Sequence, residues 1–189
     1  MIAATVPIAS PVQTIARGQQ AVAACNALLA ERDHAIEEAR QWSAGELIVE
    51  ADEPFCLGWR VVAVKRDESS LADRTARWTV RRWAHPFTRP MSMDWAISGQ
   101  CQAIVLGLRA LSRFSVTLRL DGLSPQEPTS VPMLDGISYT VQSSFLRQPD
   151  GRSLQMSVTT NQGAVADWAA QWLVALDACW RPGAPPTSD

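Results

Sequence analysis

The chain predicts an α+β domain: an antiparallel sheet with helices packed on one face, in the order α-βββ-α-βββ-α. Three observations carry that expectation. The first forty or so residues carry an apolar residue every seventh position. Runs that alternate apolar and polar residues follow in two groups of three. Each group is followed or interrupted by an Ala/Leu-rich segment, "AIVLGLRAL" and "AAQWLVAL". The two halves share order and no clear residue-level identity, which leaves a duplication open.

From about Val12 to Trp42 the pattern is one long helix. Ile15, Val22, Leu29 and Ile36 recur every seven residues, while the companion seam of Gly18, Cys25, Arg32 and Ala39 is poor. Such a narrow stripe packs on its own domain or pairs with a second helix. Gly45 ends the pattern. "ELIVEAD", "GWRVVAVKR" and "ARWTVRRWAH" then read as an antiparallel meander. A helix is expected from about Asp94 to Leu111, with Ile97, Cys101, Ile104, Leu108 and Leu111 at helical spacing; Gly99 weakens its first half and allows a start near Ser98. "FSVTLRLD" alternates cleanly as a strand, and "GLSPQEPTSVP" is a loop. Two alternating runs around Pro149-Asp150-Gly151 form a hairpin. Ile137, Tyr139 and Val141 face inward on its first strand, and Ser, Thr and Gln line its wet side. A closing helix spans about Ala164 to Trp180, burying Val165, Trp168, Trp172, Leu176 and Cys179. The organisation expected is a helical segment at 1–44, an α+β domain at 45–181 and a loose tail at 182–189.

Composition narrows the function classes. At 189 residues, 47% hydrophobic and 19% charged, the chain has the makeup of one soluble globular domain. No apolar run approaches the ~20 residues of a membrane span, and the first residues lack the features of a signal peptide. A net charge of −2 offers no general attraction to nucleic acid or acidic membranes, so neither is an expected partner. Lys65 is the only lysine, with no glycine-rich loop before it, which removes P-loop chemistry. Cys25, Cys56, Cys101 and Cys179 are widely spaced, without a CxxC pair, and read as buried free thiols of a cytoplasmic protein.

Five constellations have chemistry to weigh. Asp52, Asp121 and Asp167 lie at two strand ends and in the first turns of the last helix; converging there, they would hold Mg2+ or Mn2+ for phosphodiester cleavage. Each is equally at home in a turn or at a helix N-terminus. "RTARWTVRRWAHPFTR" gathers Arg74, Arg77, Arg81, Arg82 and Arg89 with Trp78, Trp83 and His85, a nucleic-acid groove or an edge strand guarded by charge. Alternation splits these charges between two faces, which favours the edge strand. Cys56 and His85 would make a nucleophile and base if their strands pair, although the apolar neighbours of Cys56 suit an inert thiol. His34, one turn from Glu37 and Glu38, suits a solvated helix face. Trp168 and Trp172, one turn apart, serve either the core or a partner surface.

"GWRVVAVKRDES" and "QCQAIVLGLRALSRFSVTLRLDG" loosely resemble a meander strand and a first core helix of the ribonuclease H-like family, over Leu47 to Asp121. That resemblance implies an α/β fold and a divergent metal-dependent nuclease using Asp52, Asp121 and Asp167, but Gln100 stands where the family's helix glutamate would fall. The order of elements is also similar to secretion-chaperone-like α+β domains, which open with a helix and three strands. The reading preferred here is a non-catalytic protein-binding domain, chaperone-like or a subunit of a larger assembly. Its contacts are a protein partner or self-association through Ile15, Val22, Leu29 and Ile36 of the first helix, or through Trp168 and Trp172. No cofactor is expected on that reading, and Mg2+ or Mn2+ on the nuclease alternative.

Overall fold

A computed structural model describes residues 11–67, 77–86, 89–113, 136–147 and 153–183. Helix α1 (Pro11–Ser43) leads into β1 (Leu47–Asp52), a short 3-10 turn (Pro54–Cys56), β2 (Gly58–Arg66), β3 (Trp78–Pro86) and β4 (Ser92–Ile97). Helix α2 (Gln102–Leu111), the hairpin strands β5 (Ser138–Arg147) and β6 (Ser153–Thr160), α3 (Ala164–Leu176) and the two-residue β7 (Arg181–Pro182) complete the described elements. The strands form one sheet in the order β6-β5-β1-β2-β3-β4-β7, every pair antiparallel. The α+β class follows directly. No parallel pair, which an α/β alternative needs, occurs among the described strands.

The expectation that the helices share one face is corrected. Strand side chains alternate, and the two alternating sets are covered by different helices. Leu47, Val49, Val62, Val64, Val80 and Val141 join a core with α2 and α3, while Ile48, Trp59, Val61, Ala63 and Trp83 join a second core with Ala35, Ile36 and Ala39 of α1. Strands β1 and β2 are apolar on both sides, from Leu47 to Val49 and Val61 to Val64, so each face needs a cover. Helix α1 ends where Ala44 and Gly45 adopt φ of 50° and 73°, with the Ser43 hydroxyl donating to the Ala39 carbonyl at 2.7 Å.

A second correction concerns Asp94 to Ile97, expected to begin a helix and found instead in β4 (Ser92–Ile97). It is a strand, because the in-register partners Val80↔Ala96 and Arg82↔Asp94 supply a core contact and an ion pair that a helix start would not. The helix begins only at Gln102, after the turn at Gly99. As a result β3 is flanked by β2 and β4 and is no charged edge strand. The expected strand "FSVTLRLD" and the turn at Pro149-Asp150-Gly151 lie outside the described residues.

The cysteines are a third correction. None of the four is free: Cys25 pairs with Cys56 and Cys101 with Cys179, at Cα separations of 5.5 and 5.7 Å, both within the range a disulfide spans. One bond ties α1 to the turn after β1; the other ties the start of α2 to the end of α3. On the α3 side, Trp168 and Trp172 stack with ring centroids 5.2 Å apart and donate their indole N–H groups to the Gly107 and Ala103 carbonyls at 3.0 and 3.1 Å. Gly107 is required there, since a Cβ would overlap the Trp172 ring. Among the described residues no helix is long and apolar enough to cross a membrane.

Candidate functional site

Where α3 runs out, the sheet face it covers is left partly open. One cross-strand row forms the floor: Tyr139 on β5 stands opposite Ala51 on β1, which stands opposite Arg60 on β2, then Ala84 on β3 and Ser92 on β4. Ala51 and Ala84 are too small to fill the space above them. The next row holds Val62, Arg82 and Asp94. Arg82 donates from Nε and Nη2 to Asp94 Oδ2 at 3.1 and 2.6 Å and from Nη1 to Asp177 Oδ1 at 3.2 Å, and its guanidinium lies 4.6 Å from the Trp180 ring centroid. This link closes the groove toward α3.

The groove has two lobes that share Glu53 and Arg60. A polar lobe of about 470 Å3 is lined by Arg60, Arg82, Arg89, Glu53, Asp94 and Asp177 among others. An apolar lobe of about 100 Å3 is lined by Ala51, Ile137, Tyr139, Leu173 and Val174. Tyr139 is 8% exposed, and burial pushes its hydroxyl pKa up, opposed by the positive charge of Arg60. Arg60 and Glu53 approach to 3.9 Å, an ion pair beyond hydrogen-bond reach. No histidine or cysteine lines either lobe. The Ser92 hydroxyl is 3.4 Å from Asp94 Oδ2, an oxygen already engaged by Arg82, so it has no free base to activate it.

The opposite face carries a different polar set along the margin of α1. Trp83 Nε1 donates to Glu38 at 2.9 Å, Arg32 Nη1 to Asp52 at 2.9 Å, and His85 Nδ1 lies 2.7 Å from Glu31. Glu50 is 7% exposed and accepts from Gln142 Nε2 at 2.7 Å; burial raises its pKa, Asp52 adds to the rise, and Arg32 and Arg40 oppose it. Arg81 stacks on Trp42 at 4.7 Å from the ring centroid, and burial lowers its pKa against the pull of Glu38.

The residues singled out in the sequence are distributed as follows. Asp52 sits under α1, bound to Arg32, whereas Asp167 is an exposed residue of α3 on the other side of the sheet. The sheet separates them, so they do not converge on one ion; Asp121 lies outside the described residues. No group of three His, Cys, Asp or Glu residues suited to a metal occurs among the described residues. Cys56 is bonded to Cys25 and is no nucleophile, and His34 meets Glu38 at 3.4 Å on an exposed face. Of the basic strand, Arg81 stacks on Trp42 and Arg82 pairs with Asp94 and Asp177 on the opposite face, and Arg74 lies outside the described residues.

Trp168 and Trp172 are buried at 7% and 3% exposure and present no partner surface. The α1 stripe divides: Ile36 is buried in the core, Leu29 is half-buried and Val22 is 61% exposed, with Ile15 further along the same helix. Arg60 and Tyr139 were not marked as a site by sequence reasoning. The available signal was a charge on the strand face shared with Val62 and Val64, near the only tyrosine. Their alignment through Ala51 is a matter of register between distant strands. No protein-family model, curated protein or solved structure matches the chain.

Proposed function

We propose that the chain is a non-catalytic protein-binding domain, chaperone-like or a subunit of a larger assembly, with the N-terminal half of α1 as its contact surface. One observation carries this reading: every residue from Gly18 to Ala24 is exposed, and none from Gly18 to Ala30 is charged. A solvated helix face of that kind is unusual, since surface helices draw solubility from charge and short helices draw stability from packing. The Cys25–Cys56 bond sets Phe55, 77% exposed, beside the same helix, adding an aromatic to the patch around Val22.

The occupant that fits best is a second copy. In a two-fold contact the same surface meets itself, and a stretch without charge meets no like-charge repulsion there. Gly18, one turn before Val22 on the same side of the helix, is small enough for two helices to approach closely there. Sedimentation equilibrium tests this. The wild-type chain is expected to dimerise and Val22→Glu to shift it to monomer. A wild-type monomer throughout the concentration range overturns self-association.

The compartment belongs to the same proposal. Two disulfides suit a compartment that keeps cysteines oxidised better than the reducing cytoplasm expected from free thiols. Thiol titration of the denatured, unreduced protein is expected to find no free cysteine.

A further inference from the structure

The geometry points to the groove beside α3 as a receptor for a carboxylate carried on an apolar group, with Arg60 and the Tyr139 hydroxyl as its donors. This surface lies across the sheet from the α1 contact and does not depend on it.

Neither donor makes a side-chain hydrogen bond to another described residue, although Arg60 is ion-paired with Glu53 at 3.9 Å. Tyr139 is nine-tenths buried, lines the groove and has no hydrogen-bond partner among the described residues. Its hydroxyl is not among the buried atoms left without a partner, so water serves it until a ligand oxygen takes that place. Arg60 faces the same space, and its nearest acid, Glu53, stands at 3.9 Å, too far to occupy its fork of N–H groups. The two residues flank Ala51 in register, so their backbones are two strand spacings, about 10 Å, apart across a floor only one methyl deep. Arg60 is near enough to Tyr139 to oppose the effect of burial on the phenol.

The surroundings select the ligand. Planar guanidinium matches planar carboxylate with two parallel N–H···O bonds. Glu53 and Asp177 at the rim disfavour a dianion such as phosphate. Around the polar lobe Arg60, Arg82 and Arg89 balance Glu53, Asp94 and Asp177, so the ligand is selected by the Arg60 fork and not by surplus charge; Arg89, exposed there, has no acidic partner among the described residues. Next to the donors, Leu173, Val174 and Ile137 wall a space of about 100 Å3 that suits a short aliphatic group. The C-terminal residue of a peptide and a short fatty acid share this chemistry.

Isothermal titration calorimetry with three probes tests the inference and separates the sources: N-acetyl-alanyl-leucine as the free acid, the same dipeptide as its amide, and hexanoate. The free acid is expected to bind and the amide to bind at least tenfold more weakly. Binding of hexanoate without the dipeptide assigns the ligand to the fatty acids. Arg60→Gln is expected to weaken the bound acid at least tenfold, and Tyr139→Phe several-fold. Val174 is 68% exposed, so Val174→Glu should leave folding untouched while setting a negative charge on the apolar wall and abolishing binding. No binding of any probe, equal binding of acid and amide, or unchanged affinity in both Arg60→Gln and Val174→Glu overturns the inference.

Discussion

Beneath α2 and α3 the sheet presents Leu47, Val49, Val62, Val64, Val80 and Val141, each shut off from solvent, to the large side chains Trp168, Trp172 and Leu176. Beneath α1 it presents Ile48, Trp59, Val61, Ala63 and Trp83 to a helix that answers with Ala35, Ile36 and Ala39. The large residues are thus on the helices in the first case and on the sheet in the second. Small residues let α1 lie close, but they contribute less buried area. Its seat is completed by polar links at the margin, Trp83 to Glu38, Arg32 to Asp52 and His85 to Glu31. One cover is held mainly by apolar area, the other by a narrow apolar seam with directional bonds around it. A cover of the second kind needs only part of its helix, and Gly18 to Ala24 of α1 are left exposed.

Three measurements would break or sharpen that contrast. The largest effect is expected from the disulfides. Cys101 and Cys179 are 78 residues apart and Cys25 and Cys56 are 31 apart. Loop-closure entropy then assigns about 4.5 kcal/mol to the first bond and about 3.7 kcal/mol to the second. Urea denaturation of the Cys101→Ala/Cys179→Ala and Cys25→Ala/Cys56→Ala pairs checks this. Cys101 is 3% exposed while Cys25 and Cys56 are both half-buried, so limited reductant should open the α1 bond first, as peptide mapping would show. A larger loss from the α1 pair would reverse the contrast.

The core residues come next. Leu176→Ala empties a fully buried site under α3 and is expected to cost about 4 kcal/mol, whereas Ile36→Ala under α1, where the seam is narrow, should cost about 2 kcal/mol. Thermal and urea midpoints of the two variants give the comparison, and equal losses would argue that α1 is held as much by area as α3.

The smallest effect concerns Glu50, whose pKa burial raises above the ordinary value of 4.5. A carboxyl of this kind takes up a proton on folding. Its favourable contribution is complete below pH 4.5 and is lost as the pH rises through its raised folded value. Glu50→Gln should therefore raise the thermal midpoint at neutral pH, with the gain shrinking as the solution is acidified. An unchanged gain across that range would mean that Glu50 is charged and fully compensated in the fold.

Much of the fold was legible because its signals are local. The helical recurrence of α1, the alternation of β2 and the clean partner strands of the hairpin each lie within one short window. Ser92–Ile97 was misread because its strand character comes from pairing with Val80 and Arg82, more than ten residues away, while Asp94 and Ile97 alone also suit a helix. The candidate groove was harder still. It depends on Tyr139, Ala51 and Arg60 falling into one row across strands far apart in the chain, and no spacing within a strand encodes that register.

Outside Ser92–Ile97, which segments coil, which extend and which side of a strand is apolar were legible in short-range periodicity, because backbone geometry repeats every 3.6 or 2 residues. Which helix covers which face, which cysteines meet, and whether a tryptophan is buried or offered to a partner were settled only when distant elements closed on one another. Burial and proximity are properties of the assembled sheet and its covers, and Trp168 carries the same residues beside it in either outcome.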